Sequence, residues 1–189
     1  MKPLYLFVGP SGCGKTTVTG LLETRHNEIA IRSYTTRKPR YKDEDGHIFI
    51  SDNEFNELKN LVAYTNYNDN KYGTTEEQLD KASLYVVDIP GIETLLENYK
   101  NTKRRIRIFY FDSTVTTRIK RMLDRGDSDT AIVGRLYNDE EYGWYHKLSQ
   151  VAWHYKNNEQ RNVELYKIDA NEDIENVLEQ VLYYIRINC

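Results

Sequence analysis

A run of apolar residues, Leu4-Tyr5-Leu6-Phe7-Val8, gives way at once to Gly9-Pro10-Ser11-Gly12-Cys13-Gly14-Lys15-Thr16-Thr17, and this junction constrains the fold more than any other stretch. The run has the length of a buried strand, and it stops at a glycine. Gly9, Gly12 and Gly14 allow backbone conformations that a Cβ would penalise, so successive N–H groups can turn into one hollow. A helix beginning after Gly14 adds its own unpaired N–H groups and the positive end of its dipole. Lys15 supplies a full positive charge that can reach the outer phosphates of a nucleotide. The Thr16 hydroxyl stands where it can ligate Mg²⁺. The spacing is GxxxxGKT, a phosphate-binding loop. Gly9, Ser11, Gly12, Cys13, Gly14, Lys15, Thr16 and Thr17 are thus the candidate residues for holding a nucleoside triphosphate, whether in a GTPase, an ATP-driven motor, a nucleotide kinase or an inert binding module.

Beyond this loop the chain alternates between strand-like and helix-like segments. Helical character runs from Lys15 to about Arg25, and Leu84-Tyr85-Val86-Val87-Asp88 is a second apolar strand. Ile92 to Asn101 reads as a helix, Ile106 to Phe111 as a strand and Thr114 to Leu123 as a helix. The spacing from Leu136 to Ala152 continues as one helix with Trp144, Leu148 and Val151 packing inward. Val163 to Ile168 is the last strand, and Asp173 to Ile187 closes the chain as an amphipathic helix. Such alternation predicts an α/β fold with a parallel sheet covered on both faces. Between the first two core strands lie shorter pieces. His47 to Ile50 and Leu61 to Tyr67 look extended, Ser51 or Asp52 caps a short helix, Asn68-Asp69-Asn70 is a turn, and a further helix fills about Thr75 to Ala82. With 189 residues, one domain with inserted pieces is the natural count.

Composition excludes some partners. Charged residues make up 29% of the chain and the net charge is only -3, so no global basic field exists to hold nucleic acid. No apolar run approaches the roughly 20 residues of a membrane span. Cys13 sits inside the phosphate loop and Cys189 at the end, a pairing that would burden a ligand loop; reduced thiols and a cytoplasmic setting are expected. His26, His47, His146 and His154 lack metal-ligand spacing and read as ordinary surface or packing residues. The 16 tyrosines against 5 phenylalanines suit half-buried positions, ring inside and hydroxyl wet.

Ser33-Tyr34-Thr35-Thr36-Arg37-Lys38-Pro39-Arg40 carries the equipment for a second anion, although the same basic composition also suits a solvated surface loop. Pro39 bars a helix there, and the loop carries two guanidinium forks with several hydroxyls, as a phosphate requires. Asp88 ends an apolar strand, where phosphate-loop proteins often place a carboxylate near the metal. From Arg118 to Arg135 arginines recur, and Gly126 breaks the helix so that two helices joined by a turn could form a cover over the site.

Together these stretches resemble the guanylate kinase family of nucleoside monophosphate kinases, from Leu4 to about Arg135 and less distinctly beyond. The resemblance rests on the phosphate loop, on the Ser33–Arg40 loop with Asp45-Gly46, on Tyr72-Gly73-Thr74, on Asp88-Ile89, and on Arg125-Gly126 followed by Arg135-Leu136. It implies a three-layer P-loop NTPase fold with a core over 1–32, 83–124 and 150–189, an inserted monophosphate-binding lobe over 33–82 and a helical lid over 125–149. It further implies that Ser33, Arg37 and Arg40 hold the acceptor phosphate and that Tyr72, Thr74 and Asp88 contact the acceptor. Arg125 and Arg135 would close over the donor phosphates beside Lys15, with ATP and Mg²⁺ as cosubstrate and metal. The acceptor so implied is GMP or dGMP.

Three positions depart from the family pattern. Ala63 stands where a glutamate reads guanine, Pro90 where a second carboxylate succeeds Asp88-Ile89, and Phe49 where a phosphate-contacting tyrosine is expected. Asp69 or Glu93 could substitute for the lost carboxylates. Another nucleotide or a ribosyl phosphate is therefore an alternative acceptor, and a silent interaction module is the alternative of a different class. Such modules usually lose the loop lysine and the lid arginines, which this chain keeps. A regulatory GTPase would need an N-K-x-D motif, and none occurs.

Overall fold

The computed structural model describes residues 2–40, 42–67, 69–101, 103–140, 143–157 and 162–187. Its first strand, β1 (Leu4–Val8), is buried along its whole length, and the helix after the glycine loop is α1 (Lys15–His26). Then come β2 (Ser33–Thr35), β3 (His47–Phe49), α2 (Asp52–Glu57), β4 (Leu61–Tyr67), β5 (Asn70–Thr75) and α3 (Glu76–Lys81). The chain continues through β6 (Leu84–Val86), α4 (Ile89–Asn98), β7 (Ile106–Asp112), α5 (Val115–Asp124), α6 (Asp129–Glu140), α7 (Trp144–Asn157), β8 (Val163–Asp169) and α8 (Ile174–Arg186).

Two four-stranded sheets result. The main one runs β6-β1-β7-β8 with every pairing parallel, and the smaller one runs β3-β2-β5-β4. The fold is α/β with a parallel-strand core, as the alternation predicted. Period-two alternation divides β1 between two faces. Leu4, Leu6 and Val8 pack with Ile92, Leu95 and Leu148 of α4 and α7, while Tyr5 and Phe7 pack with Val18, Leu22, Val177 and Val181 of α1 and α8. Helices therefore cover both sides, and the phosphate loop emerges from a strand flanked on each side by another.

The small sheet mixes directions: β2 pairs parallel with β3 but antiparallel with β5, and β5 antiparallel with β4. Its helices start on full capping boxes, Ser51 with Glu54 and Thr75 with Gln78. It docks on α4, where the Tyr64 amide donates to Thr94 Oγ1 at 2.9 Å.

Several boundaries differ from the sequence reading, β6 ending at Val86 rather than Asp88 and α4 at Asn98 rather than Asn101. Helix α4 begins at Ile89 rather than Ile92, because the Asp88 carboxylate accepts the Gly91 amide as N-cap and Pro90 sits in the first turn, where a missing N–H costs nothing. The single helix expected from Leu136 to Ala152 is two, α6 ending at Glu140 and α7 starting at Trp144, with Gly143 at φ 49° beside the break. Asn68, part of the expected turn, lies outside the described residues, as does Cys189.

The phosphate loop depends on Gly12, which has φ 79° and approaches α5 so closely that a Cβ would stand 2.8 Å from the Arg118 carbonyl oxygen. Gly12→Ala is expected to lower unfolding free energy by about 1–3 kcal/mol. Urea titration of the two proteins checks this; equal midpoints would mean that the loop absorbs the methyl without strain.

Candidate active site

A cleft of about 690 Å³ opens between the end of the main sheet and the small sheet. Gly9, Ser11, Gly12, Gly14, Lys15, Thr16 and Thr17 line one wall; Ser33, Arg40, His47, Thr65, Tyr67, Tyr72, Tyr85 and Asp88 line the other. Arg125, Arg135, Asp139 and Trp144 roof it from the α5–α7 region. Candidate residues from three distant stretches of sequence thus face one volume.

On the phosphate-loop wall, Lys15 Nζ donates to the carbonyl oxygens of Gly9 at 2.6 Å and Pro10 at 2.9 Å, which holds the ammonium over its own loop. Cys13, unlike the other candidate loop residues, does not line the cleft: its side chain is buried in the core with Phe7 and Phe111, where its Sγ accepts from Lys15 Nζ at 3.4 Å. Arg121, which also borders the cleft, donates to the carbonyls of Cys13 and Ala170 and so ties the loop to the end of β8.

Opposite, Ser33 is buried and its Oγ lies 2.9 Å from His47 Nδ1. Arg40 faces the cleft, whereas Arg37 does not. Arg37 forks onto Glu44, donating through Nη2 at 2.8 Å and Nη1 at 3.2 Å, with its guanidinium over the Phe49 ring. Glu44 also accepts the Arg40 amide at 2.7 Å, so one carboxylate fixes the loop that presents Arg40. Burial pushes the Glu44 carboxyl up, but hydrogen bonds from Arg37 and the Arg40 amide outweigh it and hold the group below its ordinary value. Thr74 is fully buried behind the wall beside Tyr85 rather than on it. Asp88 lines the cleft while capping α4, and burial raises its pKa.

The roof and the small-sheet wall meet electrostatically. Burial and the nearby charges of Arg37, Arg135 and Arg125 lower the Arg40 pKa. Asp127 sits among these cations: Arg125 Nε donates to it at 3.0 Å, Arg135 pairs with it at 3.5 Å, and its pKa is lowered first by the Arg125 hydrogen bond.

Several cleft residues carry no site signal in the sequence. His47 is one; expected as a surface or packing residue, it stacks edge-on to Tyr72 at 5.6 Å and faces the cleft, while Phe49, on the same strand, lies under Arg37. Thr65 and Tyr67 are others, two positions and four beyond Ala63 on β4. Ala63 itself is fully buried in the core, and neither Asp69 nor Glu93 lines the cleft. The alternation of β4 could have pointed to Thr65 and Tyr67.

His47 gives a pH prediction. Burial, with the Arg37 and Arg40 charges against a smaller opposing pull from Glu44, lowers its pKa from 6.5 to about 4. The fold thus favours the neutral imidazole. As pH falls from 6.5 towards 4 the unfolded chain binds a proton that the folded one refuses, so stability is lost over that window and unaffected above it. His47→Gln should flatten the fall in Tm between these pH values; parallel curves for the two proteins would contradict it.

Comparison with known proteins fits this geometry. Residues 1–131 match the family model described as Guanylate kinase. A guanylate kinase of Synechocystis sp. is 34% identical over 147 residues, covering 70% of this chain and 75% of that protein. One from Mycoplasmoides gallisepticum is 26% identical over 193 residues, covering 96% and 92%. The crystal structure of guanylate kinase from Anaplasma phagocytophilum superposes with a TM-score of 0.55 at 18% identity, over 99% of this chain and 86% of that one. With residues 1–131 matched by the family model and a guanylate kinase 34% identical over 70% of its length, the chain belongs to the guanylate kinase family of enzymes.

Proposed function

We infer that the protein transfers the terminal phosphoryl group of ATP to a nucleoside monophosphate. The observation that carries this reading is the shared cleft, in which Lys15 and the phosphate loop face Ser33 and Arg40 beneath Arg125 and Arg135. Two polyanions brought end to end repel each other, and transfer between them is chiefly a matter of positioning and charge neutralisation. The loop amides and Lys15 hold the donor. Ser33 and Arg40 hold the acceptor phosphate, with Arg37 acting through Glu44 to present Arg40. Arg125 and Arg135 face the position of the transferred group, where negative charge spreads over its oxygens. No protein nucleophile is required.

The residues present fit a magnesium ion held mostly by substrate. Thr16 offers a cleft-facing hydroxyl, and among the described residues no group of three carboxylate, His or Cys side chains gathers to form an all-protein cage. Mg²⁺ characteristically keeps waters and binds through phosphates plus one or two protein oxygens. When bound it neutralises charge on the donor phosphates. The division into core, acceptor lobe over 33–82 and lid over 125–149 belongs to the same reading.

GMP or dGMP is the first acceptor to test, as the family's own substrate. A second acceptor class is favoured by the wall itself. Where a carboxylate could only accept hydrogen bonds, this cleft presents the Tyr67 hydroxyl, which has no partner among the described residues and can donate as well, while the neighbouring Thr65 hydroxyl is engaged by the Asp88 carboxylate. That suits a base presenting acceptors at its edge, and an unpaired guanine donor would lose about 1–3 kcal/mol. The retained Lys15, Arg125 and Arg135 argue against a silent module.

An ADP-release assay with ATP, Mg²⁺ and a panel of ribo- and deoxyribonucleoside monophosphates tests the reading; no turnover with any acceptor would refute it. Lys15→Ala should cut kcat by about 100- to 1,000-fold with the fold intact. Arg40→Ala, by removing a charged hydrogen bond of roughly 1.5–3 kcal/mol, should raise the acceptor KM about 10- to 100-fold and leave the ATP KM unchanged.

A further inference from the structure

A carboxylate inside a cleft built for phosphates is an electrostatic oddity, and Asp139 is one. It lies near the end of α6, is 7% exposed, and borders the cleft. Its Oδ2 accepts two hydrogen bonds at 2.9 Å, one from the Ser11 amide of the phosphate loop and one from Arg118 Nη1. Arg118 is equally buried, on α5, whose backbone presses on Gly12. One oxygen atom therefore joins three separate pieces of chain: the donor loop, the helix behind it and the helix above it.

Arg135 precedes Asp139 by four residues on α6, so the two lie on one face of the helix, and both line the cleft. Towards its other end α6 is drawn to Asp127, which pairs with Arg135 and Arg125. Trp144 adds a further tie, its indole donating to the Asp139 carbonyl at 3.1 Å. We propose that Asp139 is a positioning residue for phosphoryl transfer: its carboxylate pins the helix carrying Arg135 to the donor loop and so fixes the distance between the arginine and the phosphates. Arg118 neutralises the carboxylate, so its charge does not oppose the donor. The inference rests on the kinase reading above.

The test separates positioning from mere support of the fold. Removing Asp139 alone strands the buried Arg118 charge, which endangers folding, whereas replacing both members with apolar residues of similar size is commonly tolerated. The unaltered protein, Asp139→Asn, and the double variant Arg118→Met with Asp139→Leu are compared by thermal melting, by calorimetric titration with ATP and by steady-state kinetics. Positioning predicts that the double variant melts near the unaltered protein and binds ATP with similar affinity, yet loses about 10- to 100-fold in kcat, as expected for catalytic groups displaced by about an ångström. Asp139→Asn, which keeps an oxygen for Ser11, should lose less. A folded double variant with undiminished kcat would reduce the pair to a structural ion pair. Tighter ATP binding with unchanged kcat would make Asp139 a competitor of the donor instead. Either result overturns the proposal while leaving the kinase reading intact; an unaltered protein that transfers to no acceptor ends both.

Discussion

Lys15, Arg40, Arg125 and Arg135 line one cleft, and the mutual repulsion of these cations is the constraint that the surrounding structure answers. At an effective dielectric of 20, two like charges 4 Å apart cost about 4 kcal/mol. Burial first, and then the charges of Arg37, Arg135 and Arg125, lower the Arg40 pKa. Carboxylates answer most of these cations: Glu44 pairs with Arg37 and Arg40, Asp127 with Arg125 and Arg135, and Asp139 with Arg118 behind the phosphate loop, while Lys15 is held by the Gly9 and Pro10 carbonyls. The carboxylates hold the cations in place without filling the cleft.

The division of labour between the sheets reflects their construction. The parallel sheet buries apolar side chains on both faces, so its loops, rather than its strands, are available for chemistry. The small sheet is more exposed and mixed in direction. It places Ser33, His47, Thr65 and Tyr72 on one wall because neighbouring strands present side chains side by side. Docking of β4 on α4 through Thr94 then sets that wall opposite the phosphate loop.

Local chemistry was legible in the sequence. The apolar run Leu4–Val8, the glycine spacing before Lys15 and the capping residue Ser51 each act over a few positions, and each predicted element is present. The helix break at Gly143 was local too, but the apolar spacing of Leu136, Leu148 and Val151 ran across it and masked it. Partner choice was not local. Nothing adjacent to Arg37 says that it will fork onto Glu44 while Arg40, held by the same carboxylate, reaches the cleft. His47 reads as one more scattered histidine until β3 lies beside β2 and sets it against Ser33. Asp139 is 128 residues from the amide it accepts. The cleft's general location could thus be drawn from motifs, whereas its counter-ions and the Thr65 and Tyr67 hydroxyls that line it required the fold.

The break between α6 and α7 has an optical consequence. The chain has 2 tryptophans. Trp153 is 63% exposed on the outer side of α7, whereas Trp144 lies at the cleft with its indole N–H held by the Asp139 carbonyl. One indole therefore emits from water as a steady background, and the other from the place where α6, α7 and the phosphate loop converge. Its emission wavelength and its shielding from quenchers make the protein an unlabelled fluorescence gauge of how its roof sits.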